Sequence, residues 1–272
     1  MRIRSRATLA FTALAAATAL ALSGCGASTP GAGTTPSATD AGSKAGGHLT
    51  IYAAASLQAA FDEIATAFEQ ANPDVTIDPI DYDGSSTLVT QIQAGAAVDV
   101  FASADQANMQ KLVDAKLATG DTPLFATNTL VIAVPKGNPK GITSLADLAD
   151  PSLKVVLCAA GVPCGTAAHK LLDLDGVSLT PVSEEQNVTA VLTKVASGEA
   201  DAGMVYGTDA AGDASDVDAV VPEQADQVVN RYPITVLDGA KNAAAARAFV
   251  DFVTGSQGQA ILERLGFGQP SD

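Results

Sequence analysis

From His48 onward the chain exchanges two hydrophobic periods in regular order, and this alternation narrows the fold more than any other feature. Residues 48–53 read as a strand. Leu57, Phe61, Ile64 and Phe68 then recur at spacings of three and four, as one face of a helix does. Residues 75–80 form a second apolar run, a short helix runs from Leu88 to Ile92 and is closed by Gly95, and residues 98–102 form a third run. A helix carrying Met109, Leu112 and Val113 follows Asp105. This order predicts a largely parallel sheet with helices on both faces, because parallel neighbours need a crossover that packs back onto the sheet.

Residues 129–134 make a long apolar strand, after which Pro135, Gly137, Pro139 and Gly141 change the turn chemistry. A second α/β unit follows. It has strands at 153–157 and 202–206, a helix after Gly165 with Leu171 and Leu172, and a helix with Val188, Val191, Leu192 and Val195. A strand at 232–237 and helices at 242–254 and 257–265 come last and are expected to return to the first unit. The expected fold class is α/β with two lobes, each a mostly parallel sheet flanked by helices, and a ligand in the interlobe cleft. Residues 48–127 plus 233–272 are assigned to lobe I and 128–232 to lobe II. A length of 272 residues suits two modest lobes better than one core.

Ahead of this body, Arg2, Arg4 and Arg6 precede an uncharged stretch from Ala7 to Leu22, the charged and apolar regions of a secretory signal, too short to span a bilayer comfortably. Leu22-Ser23-Gly24-Cys25 resembles the lipobox of bacterial lipoproteins, which implies loss of residues 1–24 and lipid on Cys25. An ordinary cleaved signal would instead leave three exported cysteines, an awkward odd number in an oxidising compartment. Residues 26–47 contain only Gly, Ala, Ser, Thr, Pro, one Asp and one Lys. With the lipidated Cys25 they are expected to act as a flexible tether, with a reach of about 25 Å, holding the body at the outer face of the cell membrane.

The chain carries 30 acidic and 15 basic residues, no Trp and only 4% aromatics, which excludes a groove or stacking platform for nucleic acid. Loss of residues 1–24 removes three Arg and leaves a formal charge of −18. Enzyme motifs are missing, with no G-x-S-x-G elbow, P-loop, H-E-x-x-H or dinucleotide fingerprint. His48 lies at the edge of the tether and His169 inside a helical pattern, so neither suggests a base. Asp81-Tyr82-Asp83 reads as loop or capping acids, and Ser183 with Gln186 fits a capping box. Ser56, Ser85 and Ser86 each stand at a helix start, where a serine either caps the helix or, with free N–H groups beside it, helps to hold an anion. Cys158 and Cys164 are expected to form a disulfide after export, worth about 2 kcal/mol for so short a loop, that fixes the N–H groups at the start of the next helix.

Several runs together resemble one family. Ala53-Ala54-Ala55-Ser56-Leu57, Ser85-Ser86-Thr87-Leu88 with Gln91, Ile92 and Gly95, and the run from Asp99 to Asp105 look like the first lobe of periplasmic molybdate-binding proteins of ABC importers. Asn128 to Val131, Val162-Pro163-Cys164-Gly165, the run from Gly198 to Asp209, Tyr232-Pro233 and Leu265-Gly266-Phe267 extend the likeness. The resemblance implies a two-lobe receptor, a monomer and not an enzyme, that binds molybdate, or tungstate, and delivers it to a membrane permease without a cofactor. It implies ligand contacts from the hydroxyls of Ser56 and Ser86, the amides of Cys164 and Val188, and the hydroxyl of Tyr206, with hinges near Asn128 and Tyr232. Sulfate is the alternative oxyanion. A ferric-ion receptor would want clustered tyrosines, and the four here are scattered. No metal site is expected beyond the bound oxyanion.

Overall fold

The computed structural model describes residues 46–270, so the leader, Cys25 and nearly all of the tether lie outside the described residues. Gly47, counted above with the tether, already opens β1 (Gly47–Leu49) and pairs with Val75. The single run foreseen at 48–53 is broken at Thr50, whose N–H donates to Asp99 Oδ2 at 2.9 Å, and resumes as β2 (Ile51–Ala54). A tight turn at Ala55–Leu57 then leads into α1 (Gln58–Ala71), which buries Phe61, Ile64 and Phe68 as its spacing requires. The second run stops early as β3 (Val75–Ile77), which pairs only with β1.

Asp81, Tyr82 and Asp83 are not a loop. They form β4 (Asp81–Asp83), an edge strand parallel to β2, where one side of the backbone faces solvent and polar side chains are tolerated. Next come α2 (Ser85–Gln93), β5 (Val100–Ala102) and α3 (Gln106–Asp114), the last capped by the Asp105 carboxylate on Asn108 N–H at 2.8 Å.

The second half repeats the scheme. β6 (Leu124–Pro135) is longer than foreseen and is followed by β7 (Val155–Cys158), α4 (Pro163–Leu174), β8 (Ser183–Glu185) and α5 (Val188–Ala196). Helix α4 starts two residues ahead of Gly165 because Pro163 is preset for a first helical turn. The capping box at Ser183 does not form, since Ser183 lies in an edge strand and bonds Glu185, and Asn187 caps α5 instead. Then follow β9 (Ala202–Tyr206), α6 (Gly207–Gly212), β10 (Val217–Val220), β11 (Val229–Val236), α7 (Ala243–Thr254) and α8 (Ser256–Arg264).

Apart from the β1-β3 pair, the strands form one sheet of two halves, each with three parallel strands and an antiparallel neighbour. One runs β4-β2-β5-β11 and the other β8-β7-β9-β6, with β10 beside β6. They are continuous through the antiparallel pairing of β6 with β11, from Thr129 opposite Val229 to Leu124 opposite Pro233. A bulge between Tyr232 and Pro233 turns β11 out of this ribbon and onto β5, at a residue with no N–H to give. In the second lobe a Cβ on Gly203 would lie 2.6 Å from Val191 Cγ1, so α5 lies directly on β9, which fixes where its N-terminus points.

Helices α7 and α8 return to the first lobe, where Phe249 meets Phe61 and Phe68 edge-on with ring centroids 5.9 and 5.3 Å apart. All three rings are buried. Phe249→Ala is expected to destabilise the fold by about 3–5 kcal/mol, read as a lower urea midpoint, because packed rings on two sides leave the cavity little room to collapse.

Candidate functional site

Where the carboxyl ends of the strands of both lobes meet there is a small cavity. The first lobe contributes Ser56 from the turn after β2, Ser85 from the first turn of α2, and Ala104 just after β5. The second contributes Cys164 at the start of α4, Val188 at the start of α5, and Tyr206 at the end of β9. Three helices therefore begin at the cavity. The first N–H groups of a helix have no acceptor inside it, and together they carry a partial positive charge. In α5 the Asn187 cap takes the Ala190 N–H at 2.9 Å, two positions beyond Val188, and so leaves the Val188 amide ahead of the capped turn.

The hydroxyls are set as donors. Ser85 Oγ accepts from Ala104 N–H at 3.0 Å, which leaves its own O–H for another partner. Ser56 Oγ lies 3.1 Å from the Tyr232 hydroxyl. If the phenol donates in that pair, the Ser56 proton is likewise released toward the cavity. Tyr206 differs from both, since its hydroxyl is buried without a hydrogen-bond partner, the one such side-chain atom among the described residues. Its ring packs against Tyr232 with centroids 5.9 Å apart.

Burial raises the Tyr206 pKa well above 10, and Tyr232, Asp105 and Asp209 add to the shift. Burial likewise raises Tyr232. Both phenols keep their protons and stay neutral, so each has an O–H to give. Burial also raises Asp105, against the pull of Asn108 and Lys111, and pushes Asp209 up to about 7, although Tyr206 N–H donates to Asp209 Oδ2 at 3.1 Å. The acids nearest Tyr206 thus hold their protons more firmly than ordinary carboxyls.

Of the residues singled out from the sequence, Ser56, Cys164, Val188 and Tyr206 line this one cavity. Ser86 does not. It is half-buried on the adjacent position of α2, and Ser85, one residue back and fully buried, stands at the cavity instead, because successive helical side chains point about 100° apart. Tyr232 and Ala104 were not foreseen as supports of the two serines. Cys158 and Cys164 are bonded, with Cα atoms 5.7 Å apart, and tie the end of β7 to the first turn of α4. Just after that loop a Cβ on Gly165 would fall 2.0 Å from the Ala159 carbonyl oxygen, so glycine is required there by contact. Both histidines are away from the cavity, and among the described residues no group of three or more His, Cys, Asp or Glu is placed to hold a metal ion.

The family model of bacterial extracellular solute-binding proteins matches residues 49–268. The chain belongs to that family. The molybdate-binding protein ModA of Mycobacterium tuberculosis is 47% identical over 236 residues, covering 86% of this chain and 90% of the relative. Its namesake in Escherichia coli is 35% identical over 233 residues, covering 81% and 89%. Among solved structures, the periplasmic molybdate-binding protein of Azotobacter vinelandii matches with a TM-score of 0.69 at 21% identity, over 82% of this chain and 100% of that one. The sulfate-binding protein SubI of Mycobacterium tuberculosis matches with 0.70 at 19% identity, over 81% and 86%. At those identities the two structures show the fold alone. In this solute-binding protein the cavity lies at the switch between the lobes, where α/β sheets hold ligands.

Two outcomes are expected of the protein without ligand. Tyr206→Phe removes a hydroxyl that closure without an anion would strand, so the unfolding free energy in urea titration should stay within about 1 kcal/mol of wild type and not fall. Asp209 ionises near 3.8 when unfolded and near 7 when folded, so between those values the folded state holds a proton that the unfolded state releases. Stability should therefore fall as pH rises through that window, and Asp209→Asn should flatten the decline in urea midpoints measured between about pH 5 and about pH 8.

Proposed function

We propose that this chain is an extracytoplasmic receptor that binds molybdate, and tungstate as well, and delivers the anion to the membrane permease of an ABC importer. The observation that carries the reading is the buried, unpartnered hydroxyl of Tyr206 at a cavity where three helices begin. A fully ionised tetrahedral oxyanion offers only acceptors, and the donors at hand are Ser56, Ser85 and Tyr206 hydroxyls and the amides of Cys164 and Val188. The ModA relatives named above support molybdate as the anion.

A formal charge of −18 on the exported chain does not oppose this, because surface charge is screened over about 8 Å at physiological salt while dipoles in a dry cleft act at contact. Hydrogen phosphate is disfavoured, since its O–H would meet donors only, at a penalty of about 1–3 kcal/mol. Lobe I is residues 48–127 plus 233–272 and lobe II 128–232, hinged near Asn128 and Tyr232 within the β6–β11 ribbon. Lipid on Cys25 and the tether keep the receptor at the outer face of the cell membrane near its permease. It works as a monomer and assigns the cavity no reaction.

Calorimetric titration of residues 26–272 tests the reading, with molybdate, tungstate, sulfate and phosphate in separate runs. One-to-one binding of the first two alone is expected, and silence with all four would overturn it. Ser85→Ala and Tyr206→Phe should each weaken molybdate binding about tenfold or more, whereas Ser86→Ala should leave it within about twofold of wild type.

A further inference from the structure

At the cavity, which Asp83 and Gly84 help to line, the starts of two helices from different lobes touch each other. Gly84 precedes α2 and Asn187 precedes α5. Gly84 has φ of −59°, which any residue adopts, so its backbone conformation does not call for glycine. Contact does, because a Cβ there would fall 2.1 Å from the Gln186 carbonyl oxygen and 3.3 Å from Val162 Cγ1. The backbone of the first lobe thus rests directly on that of the second.

Asn187 divides its side-chain amide between two tasks. Its Oδ1 caps α5 through Ala190 N–H at 2.9 Å, and its Nδ2 donates across the cleft to Asp83 Oδ1 at 2.8 Å. The same Asp83 oxygen accepts Gly84 N–H at 2.7 Å. One carboxylate oxygen therefore joins the N-terminus of α2 to the N-terminus of α5, across 104 residues of sequence.

Electrostatics gives the arrangement its meaning. Each helix start carries a partial charge of about +0.5, so two starts side by side repel and favour an open cleft. A bound oxyanion draws them together from inside the cavity. Asp83 does the same from the seam, with its Oδ1 occupied by donors from both sides. We infer that Asp83, Gly84 and Asn187 form a latch that holds the cleft shut over the bound oxyanion and sets its rate of release. They are positioning residues, acting on the anion through closure of the Ser85 and Val188 helix starts around it. The inference rests on the anion-receptor reading of the cavity.

The test is a chase, in which the detergent-solubilised exported protein is loaded with radiolabelled molybdate and its release into excess unlabelled molybdate is timed. Asp83→Ala should release label about tenfold faster with little change in association rate, as lost contacts act mainly on dissociation. Asn187→Asp keeps a capping oxygen but sets two carboxylates against each other, and should release faster still. The pair Asp83→Asn with Asn187→Asp re-forms the bond with donor and acceptor exchanged, and should bring release back to within about threefold of wild type. A purely structural role would not produce that rescue. Gly84→Ala places a methyl group against the Gln186 carbonyl and should also speed release, at an unchanged melting temperature without ligand.

Wild-type release rates in Asp83→Ala and Gly84→Ala, or no recovery in the exchanged pair, would overturn the latch while leaving the receptor reading intact. Failure of the wild-type protein to retain any molybdate would overturn both.

Discussion

The antiparallel pairing of β6 with β11 is the interaction on which the rest of the molecule depends. It is the point at which the two halves of the sheet join, and its side chains reach both halves of the cavity. Tyr232 holds Ser56 in the first lobe, Asn230 Nδ2 donates to the Ala104 carbonyl at 2.9 Å, and Asn128 Nδ2 donates to Thr208 Oγ1 at 2.8 Å beside Tyr206 in the second. Ala104 in turn orients Ser85 through its N–H. A two-strand ribbon in which asparagines and a tyrosine replace apolar side chains thus sets donors on both walls at once. Its bulge at Pro233 lets one strand serve both halves of the sheet without leaving an amide unpaired.

The electrostatics of the cavity follow from burial more than from charge. No lysine or arginine lines it, Asp83 is its one carboxylate, and its donors are hydroxyls and helix starts. Such donors are neutral, so they can be desolvated without the large penalty of burying an ion. Burial raises the Tyr206 and Tyr232 phenols and the Asp105 and Asp209 carboxyls alike. For phenols this preserves donors. For the Asp105 and Asp209 carboxyls it weakens the negative charge around Tyr206, while Asp83, which lines the cavity, accepts hydrogen bonds from Gly84 N–H and Asn187 Nδ2.

Much of this was legible in the sequence because it is written in period. Leu57, Phe61, Ile64 and Phe68 sit where their spacing puts them, and β2, β5, β7 and β9, which lead to Ser56, Ala104, Cys164 and Tyr206, are continuous apolar runs. The short edge strands β4 and β8 were not legible, because Asp-Tyr-Asp and Ser-Glu-Glu carry no hydrophobic alternation and pair on one side only. The choice between Ser85 and Ser86 turns on which position of the first helical turn faces inward, and adjacent identical residues give no signal of that. Asn187 could be read as a cap, but its second bond to Asp83 is a tertiary contact that no local pattern encodes.

The unpartnered Tyr206 hydroxyl also bears on how the lobes move. It belongs to the second lobe, and the wall opposite it belongs to the first. With the lobes apart, water satisfies it. Closure with no anion strands it, at a penalty of about 1–3 kcal/mol, and closure around an oxyanion supplies the missing acceptor. The same holds for the paired helix starts, which repel when brought together alone and attract a common anion. Ligand and closure therefore favour each other through differential interactions with the open and closed forms, which is the only way a ligand can shift such an equilibrium. A cavity with every donor already satisfied within the protein would close as readily empty as full, and would give a permease no means of telling a loaded receptor from an unloaded one.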